Sequence, residues 1–483
     1  VNKLAAIFLL IVLLSGCAIG PDYKRPEVIN PSVWRFEDKQ VRDTANIAWW
    51  EQFNDPVLNQ LIQTALKENY DIRIAASRVD EYLGRYWVGR SGLFPQITGS
   101  ASAQRQQISS EGPLPITAGA KNPSPVYDAA VLGNWELDIW GKWRRTTEAA
   151  RADLLSTKEA RQAVILSLVS TVAIGYINLR DLDKQLDIAK RTVKSRADSY
   201  NLFRIRYEGG VISELELNQT KSEYETALAT IPQIEKSIAF QEDALSTLLG
   251  KNPGPVLRGR NVDNLSLPAV PSGLPSDLLE RRPDIRQAEQ SLIAANARIG
   301  VAKAQYFPSI SLTGLFGWAS TELSSLFNGS AQQWSWGGVL NAPIFLGGAI
   351  KGQVQTAEAI QKEALYSYQS TIQTAFREVE DALADQKFTR QQLAAQGQAV
   401  DTLREYARIA RLRYDEGYTS YIEVLDSERS LFNAELQYAQ IQGVLFAGLI
   451  NLYKSMGGGW VAKAEQMITD KVAGERISSS EGK

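Results

Sequence analysis

Cys17 is the only thiol in the sequence, and there is no histidine. The missing imidazole removes serine–histidine and cysteine–histidine triads, the common zinc sites and the usual proton shuttle. One cysteine forms no disulfide within the chain, and no glycine loop of Walker or Rossmann type is present. What remains for acid–base work is carboxylates, so paired-carboxylate chemistry of the glycosidase kind is the class that composition leaves open. The 54 acidic residues are balanced by 52 basic ones, which gives no electrostatic footprint for nucleic acid. No metal site is expected, and these residues point away from an enzyme.

The setting of Cys17 gives its thiol a different chemistry. Lys3 stands near the start, Leu4 to Leu14 is an unbroken apolar run of 11 residues, and Leu14-Ser15-Gly16-Cys17 closes it. A basic start, a short apolar stretch and a small-residue cleavage site form an export leader; a bilayer span needs about 20 apolar residues. The quartet resembles the lipobox of bacterial lipoproteins. The expectation is cleavage after residue 16, diacylglycerol on the Cys17 sulfur and an N-acyl lipid, with no other cofactor. An ordinary buried cysteine beside a cleaved leader is the alternative.

The remaining 467 residues are written twice. Asp71-Ile72-Arg73, Arg85 and Phe94-Pro95-x-Ile97 recur 213 positions on as Asp284-Ile285-Arg286, Arg298 and Phe307-Pro308-x-Ile310. Arg204-x-Arg206-Tyr207, Gly210, Ser213 and Glu216 recur 207 positions on as Arg411-x-Arg413-Tyr414, Gly417, Ser420 and Glu423. The second copy is therefore six residues shorter, and the polar loop Ser109 to Pro125 against Thr321 to Gln332 is the natural place. Two copies suggest a pseudo-twofold unit within a larger ring rather than a solenoid.

Each copy predicts a short helix, two strands around a loop, a very long helix, a glycine turn and a medium helix. In the first copy these helices are expected at about Ile72 to Ser91, Gly141 to Tyr207 and Ser213 to Leu249, with a kink at Pro232. In the second they are expected at Asp284 to Gln305, Gly348 to Tyr414 and Ser420 to Met456. A 4-3 walk along the first long helix, from Ile165 through Val169, Val172, Tyr176 and Leu179 to Tyr207, has ten apolar positions in 13, which is coiled-coil spacing. Its length of roughly 100 Å exceeds that of an ordinary domain helix.

Between the helices, Tyr127, Ala129, Val131, Gly133, Trp135, Leu137 and Ile139 alternate with a face holding most of the local acids. Ile310, Leu312, Gly314, Phe316 and Trp318 alternate with serines, Thr313, Leu315 and Gly317. Six of the 11 tryptophans (Trp135, Trp140, Trp143, Trp318, Trp334 and Trp336) lie in or beside these segments. Such segments of about ten residues read as outer-membrane barrel strands with aromatic belts. Four strands close no membrane barrel, for which about eight is the minimum, so the chain must oligomerise; three copies give 12 strands.

At this point the chain resembles the TolC/OprM family of outer-membrane efflux channels, in its lipoprotein branch serving RND-type pumps. The resemblance is carried by Cys17-Ala-Ile-Gly-Pro-Asp-Tyr-Lys-Arg-Pro26, Trp49-Trp50-x-x-Phe53-x-Asp55-Pro56, Arg281-Arg282-Pro283-Asp284-Ile285, Phe307-Pro308, Tyr414-x-x-Gly417 and Ile422-Glu423-Val424-Leu425-Asp426. It implies a mixed α/β membrane protein: a homotrimer with a 12-stranded outer-membrane β-barrel continued by a periplasmic α-helical coiled-coil barrel. It also implies two partners, a periplasmic adaptor (membrane fusion protein) and an inner-membrane pump. The expected divisions are a signal peptide, 1–16; a tether and part of an equatorial domain, 17–70; repeat one, 71–255; an equatorial linker, 256–282; repeat two, 283–459; and an equatorial segment with a polar tail, 460–483. The belt is expected from Trp49 to Leu66, Val256 to Leu279 and Trp460 to Ile468.

The same resemblance places a gate at the periplasmic mouth. Glu216, Glu423 and Asp426 would form rings of carboxylates, which attract cations and repel anions. Tyr207, Tyr414, Arg206, Arg413 and Arg429 would hold the inner helices shut, with Arg429 also placed to pair with Asp426 in its own helix. Related channels often carry aspartate where this chain has Glu216 and Glu423. The function so implied is passive conduction of small molecules, drugs or other toxic compounds, from an inner-membrane transporter to the exterior. The alternatives are a structural coiled-coil envelope lipoprotein, or a channel for type I secretion or metal-ion efflux.

Overall fold

Glycine turns, serine caps and Phe-Pro corners cut the chain into matched elements. The first copy comprises α1 (Pro56–Glu68), α2 (Tyr70–Ser91), β1 (Gln96–Gln106), β2 (Ser124–Glu136), α3 (Lys142–Glu208) and α4 (Glu214–Leu248). The second comprises α5 (Pro283–Ala304), β3 (Ser309–Ser320), β4 (Gln332–Asn341), α6 (Ala349–Asp415) and α7 (Tyr421–Ser455). Counterpart helices agree to the residue: α2 and α5 have 22, α3 and α6 have 67, α4 and α7 have 35. The missing six residues fall in the hairpin loops, 107–123 against 321–331. The helix α4 continues through Pro232, an exposed position whose counterpart Ala439 is fully buried.

The computed structural model describes residues 18–28, 31, 33–36, 48–109, 111, 121–268, 270, 275–458, 460, 461 and 464. Cys17 with its expected lipids, the leader, most of Trp460 to Ile468 and the polar tail lie outside the described residues. Packing divides the chain differently from the repeat. One unit takes the described residues of 1–27, 78–157 and 288–368; the other takes those of 28–77, 158–287 and 369–483. Each unit contains parts of both copies.

The first unit is organised by one antiparallel sheet in the order β1-β2-β3-β4. Its register aligns the alternation of all four strands. Asn134 faces Gln96 and Thr313, Val131 faces Gly99 and Phe316, and Phe316 faces Trp334. One side of the sheet therefore carries Tyr127, Val131, Trp135, Leu312, Phe316, Trp318, Trp334, Trp336 and Leu340. The other carries serines, threonines, glutamines, Asp128 and Asn134. Apart from Phe327, which packs on Trp318, the apolar side is largely open among the described residues: Trp334 is 68% and Trp336 82% exposed. At its base, Trp140 stacks on Phe307 with centroids 4.8 Å apart, and Asp138 accepts from the N–H groups of Trp143 and Arg144 at the start of α3.

Ala18 to Arg25 is tied into the same unit. Ile19 N–H donates to Trp140 O at 3.0 Å, Asn296 Nδ2 donates to Pro21 O at 2.8 Å, and Arg25 pairs with Glu289 at 2.9 Å. Arg145, 5% exposed, pairs with Asp22 at 2.6 Å.

The second unit has an aromatic core. Trp49 stacks on Tyr453 at 5.5 Å, and Trp50 meets Trp460 edge-on at 5.1 Å. Phe53 O accepts from Ser266 N–H, so residues from the three segments expected to form the belt pack together. Asp55 is fully buried, caps α1 through Val57 and Leu58 N–H, and accepts from Tyr176 Oη at 2.7 Å and Arg260 N–H at 3.0 Å. Gly259 lies against this carboxylate, where a Cβ would stand 2.1 Å from Oδ1. Arg282 binds Asp284, Glu378 and the Ser455 carbonyl.

Composition alone would let α3 pass for a membrane span, since it holds an 18-residue window of mean hydropathy 1.7. Its apolar run is instead packed within the second unit, with Ile165, Val169, Val172, Tyr176 and Leu179 all fully buried. The 4-3 walk holds to Leu179. Beyond it the buried line runs earlier than the walk, through Gln185, Ile188, Ala189, Arg196, Ser199 and Phe203, rather than Asp183, Leu186 and Lys190.

Asp55→Ala strips a cap and leaves Tyr176 Oη without its buried acceptor, at an expected cost of about 3 kcal/mol. The measurement is the thermal midpoint for loss of helical circular dichroism, with Asp55→Asn falling less because it keeps the cap.

Candidate functional site

Both long helices end in the same left-handed turn. Gly210 and Gly417 have φ of 73° and 78°, and the next N–H groups, of Val211 and Tyr418, reach back to Arg206 O at 2.9 Å and Arg413 O at 2.8 Å. A side chain at either glycine would be strained. Ser213 and Ser420 then stand at the N-cap positions of α4 and α7, and only the Ser213 side chain makes a capping hydrogen bond.

The two caps differ, and the difference sorts the expected gate residues. Glu216 closes a capping box: its carboxylate accepts from Ser213 N–H at 2.8 Å, and Ser213 Oγ accepts from Glu216 N–H at 3.3 Å. Glu423 makes no such box. It is exposed and has no side-chain hydrogen bond or ion pair among the described residues. Glu423 and Asp426, three apart on α7, line one open groove of about 640 Å³ with Ser222 and Glu223 of α4. Asp426 pairs with Arg429 at 2.7 Å, and Arg429 comes within 3.9 Å of Glu223.

The aromatic members join the copies. Arg206, at the end of α3, donates to Tyr414 Oη at 3.1 Å. Tyr414 lies 5.0 Å from Tyr421, whose ring packs on the fully buried Phe203 at 4.0 Å. The reciprocal pair does not form within the chain: Tyr207 is 40% exposed and Arg413 is exposed.

A half-buried charge cluster around the groove residue Glu223, in which only Arg196 is fully buried, was not singled out from the sequence. Arg196 of α3, 4% exposed, pairs with Glu223 of α4 at 3.0 Å, and Arg411 of α6 lies 3.8 Å from Glu428 of α7. Burial pushes the Glu428 carboxyl above the usual glutamate range, against the pull of Arg411 and Arg196. Burial likewise lowers the Arg196 guanidinium and raises the Tyr421 phenol. The signal lay in the repeat: Lys221-Ser222-Glu223 occupies the place of Glu428-Arg429-Ser430, a local exchange of charge between copies.

An amphipathic sheet with two open edges, formed by a duplicated chain with 67-residue helices, defines the protomer of an outer-membrane channel. The family model for outer membrane efflux proteins matches residues 61–251 and 274–458, two segments whose starts are 213 and whose ends are 207 positions apart, the offsets of the repeat itself. The chain belongs to this family. It is 36% identical over 470 residues to the probable efflux pump outer membrane protein SepC of Pseudomonas putida, covering 95% of this chain and 97% of the relative. It is 35% identical over 458 residues to the cation efflux system protein CusC of Escherichia coli, covering 94% and 98%. Among solved structures, the outer-membrane channel OprN superposes with a TM-score of 0.85 at 30% identity, covering 92% of this chain and all of that one. The open-state channel MtrE of Neisseria gonorrhoeae gives 0.84 at 32% identity, with 92% and 99% covered. The chain is thus an outer-membrane component for efflux, as its motifs imply.

Glu428 supplies a pH test of the cluster. Its raised pKa means that the folded chain holds the proton more tightly than the unfolded one. Its contribution to stability is therefore complete below the ordinary value of about 4.5 and is lost as pH rises through the folded value. Glu428→Gln is expected to melt at a higher temperature than the native chain near neutral pH, with the gap closing in acid. Equal melting at both pH values would show that the arginines fully compensate the buried charge.

Proposed function

We propose that three copies form the exit duct of a tripartite efflux pump, with a closed 12-stranded barrel in the outer membrane and a helical tunnel in the periplasm. The observation that carries this is the largely open apolar side of the sheet, bounded by two unpaired edges. Backbone groups on such edges find no partner in lipid, so only closure makes the sheet stable there. The polar side then lines the bore, rich in hydroxyl and amide groups suited to solutes that pass without tight binding.

Conduction is passive in this reading: an inner-membrane RND-type transporter supplies the energy, and a periplasmic adaptor opens the mouth. Ala18 lies close to Gly141, at the base of the sheet. A lipid on Cys17 would then enter the bilayer beside the strands, which supports the lipoprotein reading. Relatives named for toluene and antibiotic efflux support small organic cargo, and the likeness to a cation efflux protein favours metal ions as the second reading.

The gate lies at the glycine turns. Glu423 and Asp426 ring the mouth, Arg429 partly neutralises Asp426, and the Arg206–Tyr414 bond holds the second copy's hairpin against the first. Glu216 contributes charge from a side chain already committed to its cap.

In planar bilayers the native oligomer is expected to pass a small, cation-selective current. Glu423→Ala/Asp426→Ala should raise the conductance severalfold and weaken the selectivity. No current from either, in protein shown to be folded, would favour a structural envelope lipoprotein. In cells, Arg206→Ala should increase susceptibility to large antibiotics at equal expression, whereas unchanged susceptibility would remove Arg206 from the gate.

A further inference from the structure

One position on the two long helices has changed the sign of its charge between copies. In the first copy, Arg180 of α3 pairs with Asp183 one turn on, and Arg258 pairs with the same carboxylate at 3.2 Å. Their counterparts 207 positions on, in α6, are Lys387 and Arg390. The acid that neutralises the cation in one copy is thus replaced by a second cation in the other.

A third cation comes from the segment laid across α6. Trp34 meets Phe376 edge-on at 6.0 Å and Phe36 meets Phe388 edge-on at 5.7 Å, which holds Arg35 between two anchored rings. Arg35 lies 5.1 Å and Lys387 5.3 Å from the centroid of the Phe36 ring. The side chains of Arg35, Lys387 and Arg390 make no hydrogen bond or ion pair among the described residues. Glu380, on the same face of α6 two turns before Lys387, is engaged by the Arg35 backbone N–H at 3.0 Å.

These three cations rim an open pocket of about 340 Å³. Its apolar surface comes from Phe36, Val270 and Leu383, the last only 6% exposed. Gln386 also lines it, is 3% exposed, and is fixed by donating from Nε2 to Leu445 O at 2.9 Å. Leu383, Gln386, Lys387 and Arg390 stand at i, i+3, i+4 and i+7, so one helix face presents floor and charge together. Like charges gathered around one ring repel each other, and an anion placed among them relieves that repulsion.

We propose that this pocket binds a small organic carboxylate with an apolar body, its carboxylate standing where Asp183 stands in the first copy. Arg35 and Arg390 supply forked donors that match a carboxylate, and Lys387 supplies a point charge. The apolar body lies on Phe36, Val270 and Leu383. An inorganic anion would leave that floor unused, and a neutral aromatic would leave the charges unmet. The volume lies at the small end of ligand pockets and suits a bicyclic aromatic acid.

The test is equilibrium dialysis of labelled 2-naphthoate against the full-length protein in nonionic detergent. Saturable binding at one site per chain is expected, with 2-naphthamide, the same shape without the charge, at least about tenfold weaker. Lys387 and Arg390 are both exposed, and circular dichroism checks that their variants fold. Lys387→Gln/Arg390→Gln should weaken naphthoate about tenfold or more and leave naphthamide unmoved. Arg390→Asp restores the acid of the first copy, so it should abolish naphthoate binding and raise the thermal midpoint. Equal binding of naphthoate and naphthamide, or naphthoate affinity unmoved by either variant, would overturn the assignment. So would full displacement of naphthoate by equimolar sulfate, or no naphthoate binding to the native protein. A lower thermal midpoint for Arg390→Asp would overturn the charge reversal on which the site rests.

Discussion

A sheet with one apolar side and two unpaired edges constrains everything else in this chain. Exposed edges invite pairing in water and have no partner in hydrocarbon. The strands are therefore stable only as part of a larger closed surface. Duplication meets this constraint economically, because each copy brings one strand that begins a junction and one that completes it. The amphipathic register across all four strands follows from the same need: a single misaligned strand would put aromatic side chains in the bore and glutamines against lipid.

Duplication also explains why the helices match to the residue while their ends do not behave alike. The two glycine turns are superposable in their bonds, and both are followed by a serine with glutamate three positions on. Yet one glutamate is folded back onto its cap and the other has no side-chain partner among the described residues. Arg196 is buried in the first copy, where the second has Leu403 in the corresponding place. Buried charges held by partners on other helices are costly to separate. The second hairpin is thereby fastened to the first through Glu223, Arg429 and Tyr414 rather than through symmetric contacts.

Much of the fold was legible because punctuation is local. Glycine with positive φ, serine caps and Phe-Pro corners mark their own positions, and the repeat offsets located the shortened hairpin without a structure. The β1 segment was legible through its place in the repeat, since Gln96 to Gln106 carries one large aliphatic residue, Ile97. The buried line beyond Leu179 was not legible, because there α3 answers to neighbours distant in sequence. At the tip, acids and turns were visible, but which acid is spent on a cap depends on side-chain geometry. The same Ser-x-x-Glu spacing closes a box at Ser213 and not at Ser420. The Arg196 cluster was hidden for a related reason, since an arginine on a coiled-coil helix reads as solvated until its partners are placed.

The ties of Ala18 to Arg25 bear on how the molecule is made. The segment closest to the start of the described chain is seated on Glu289, Asn296 and Gly300, residues found well past the middle of the sequence. Its seat does not exist until the second copy has been delivered and coiled. Likewise β2 gains its second neighbour only when β3 arrives. The sheet unit therefore acquires its complete set of contacts only when both copies of the repeat are present in one chain.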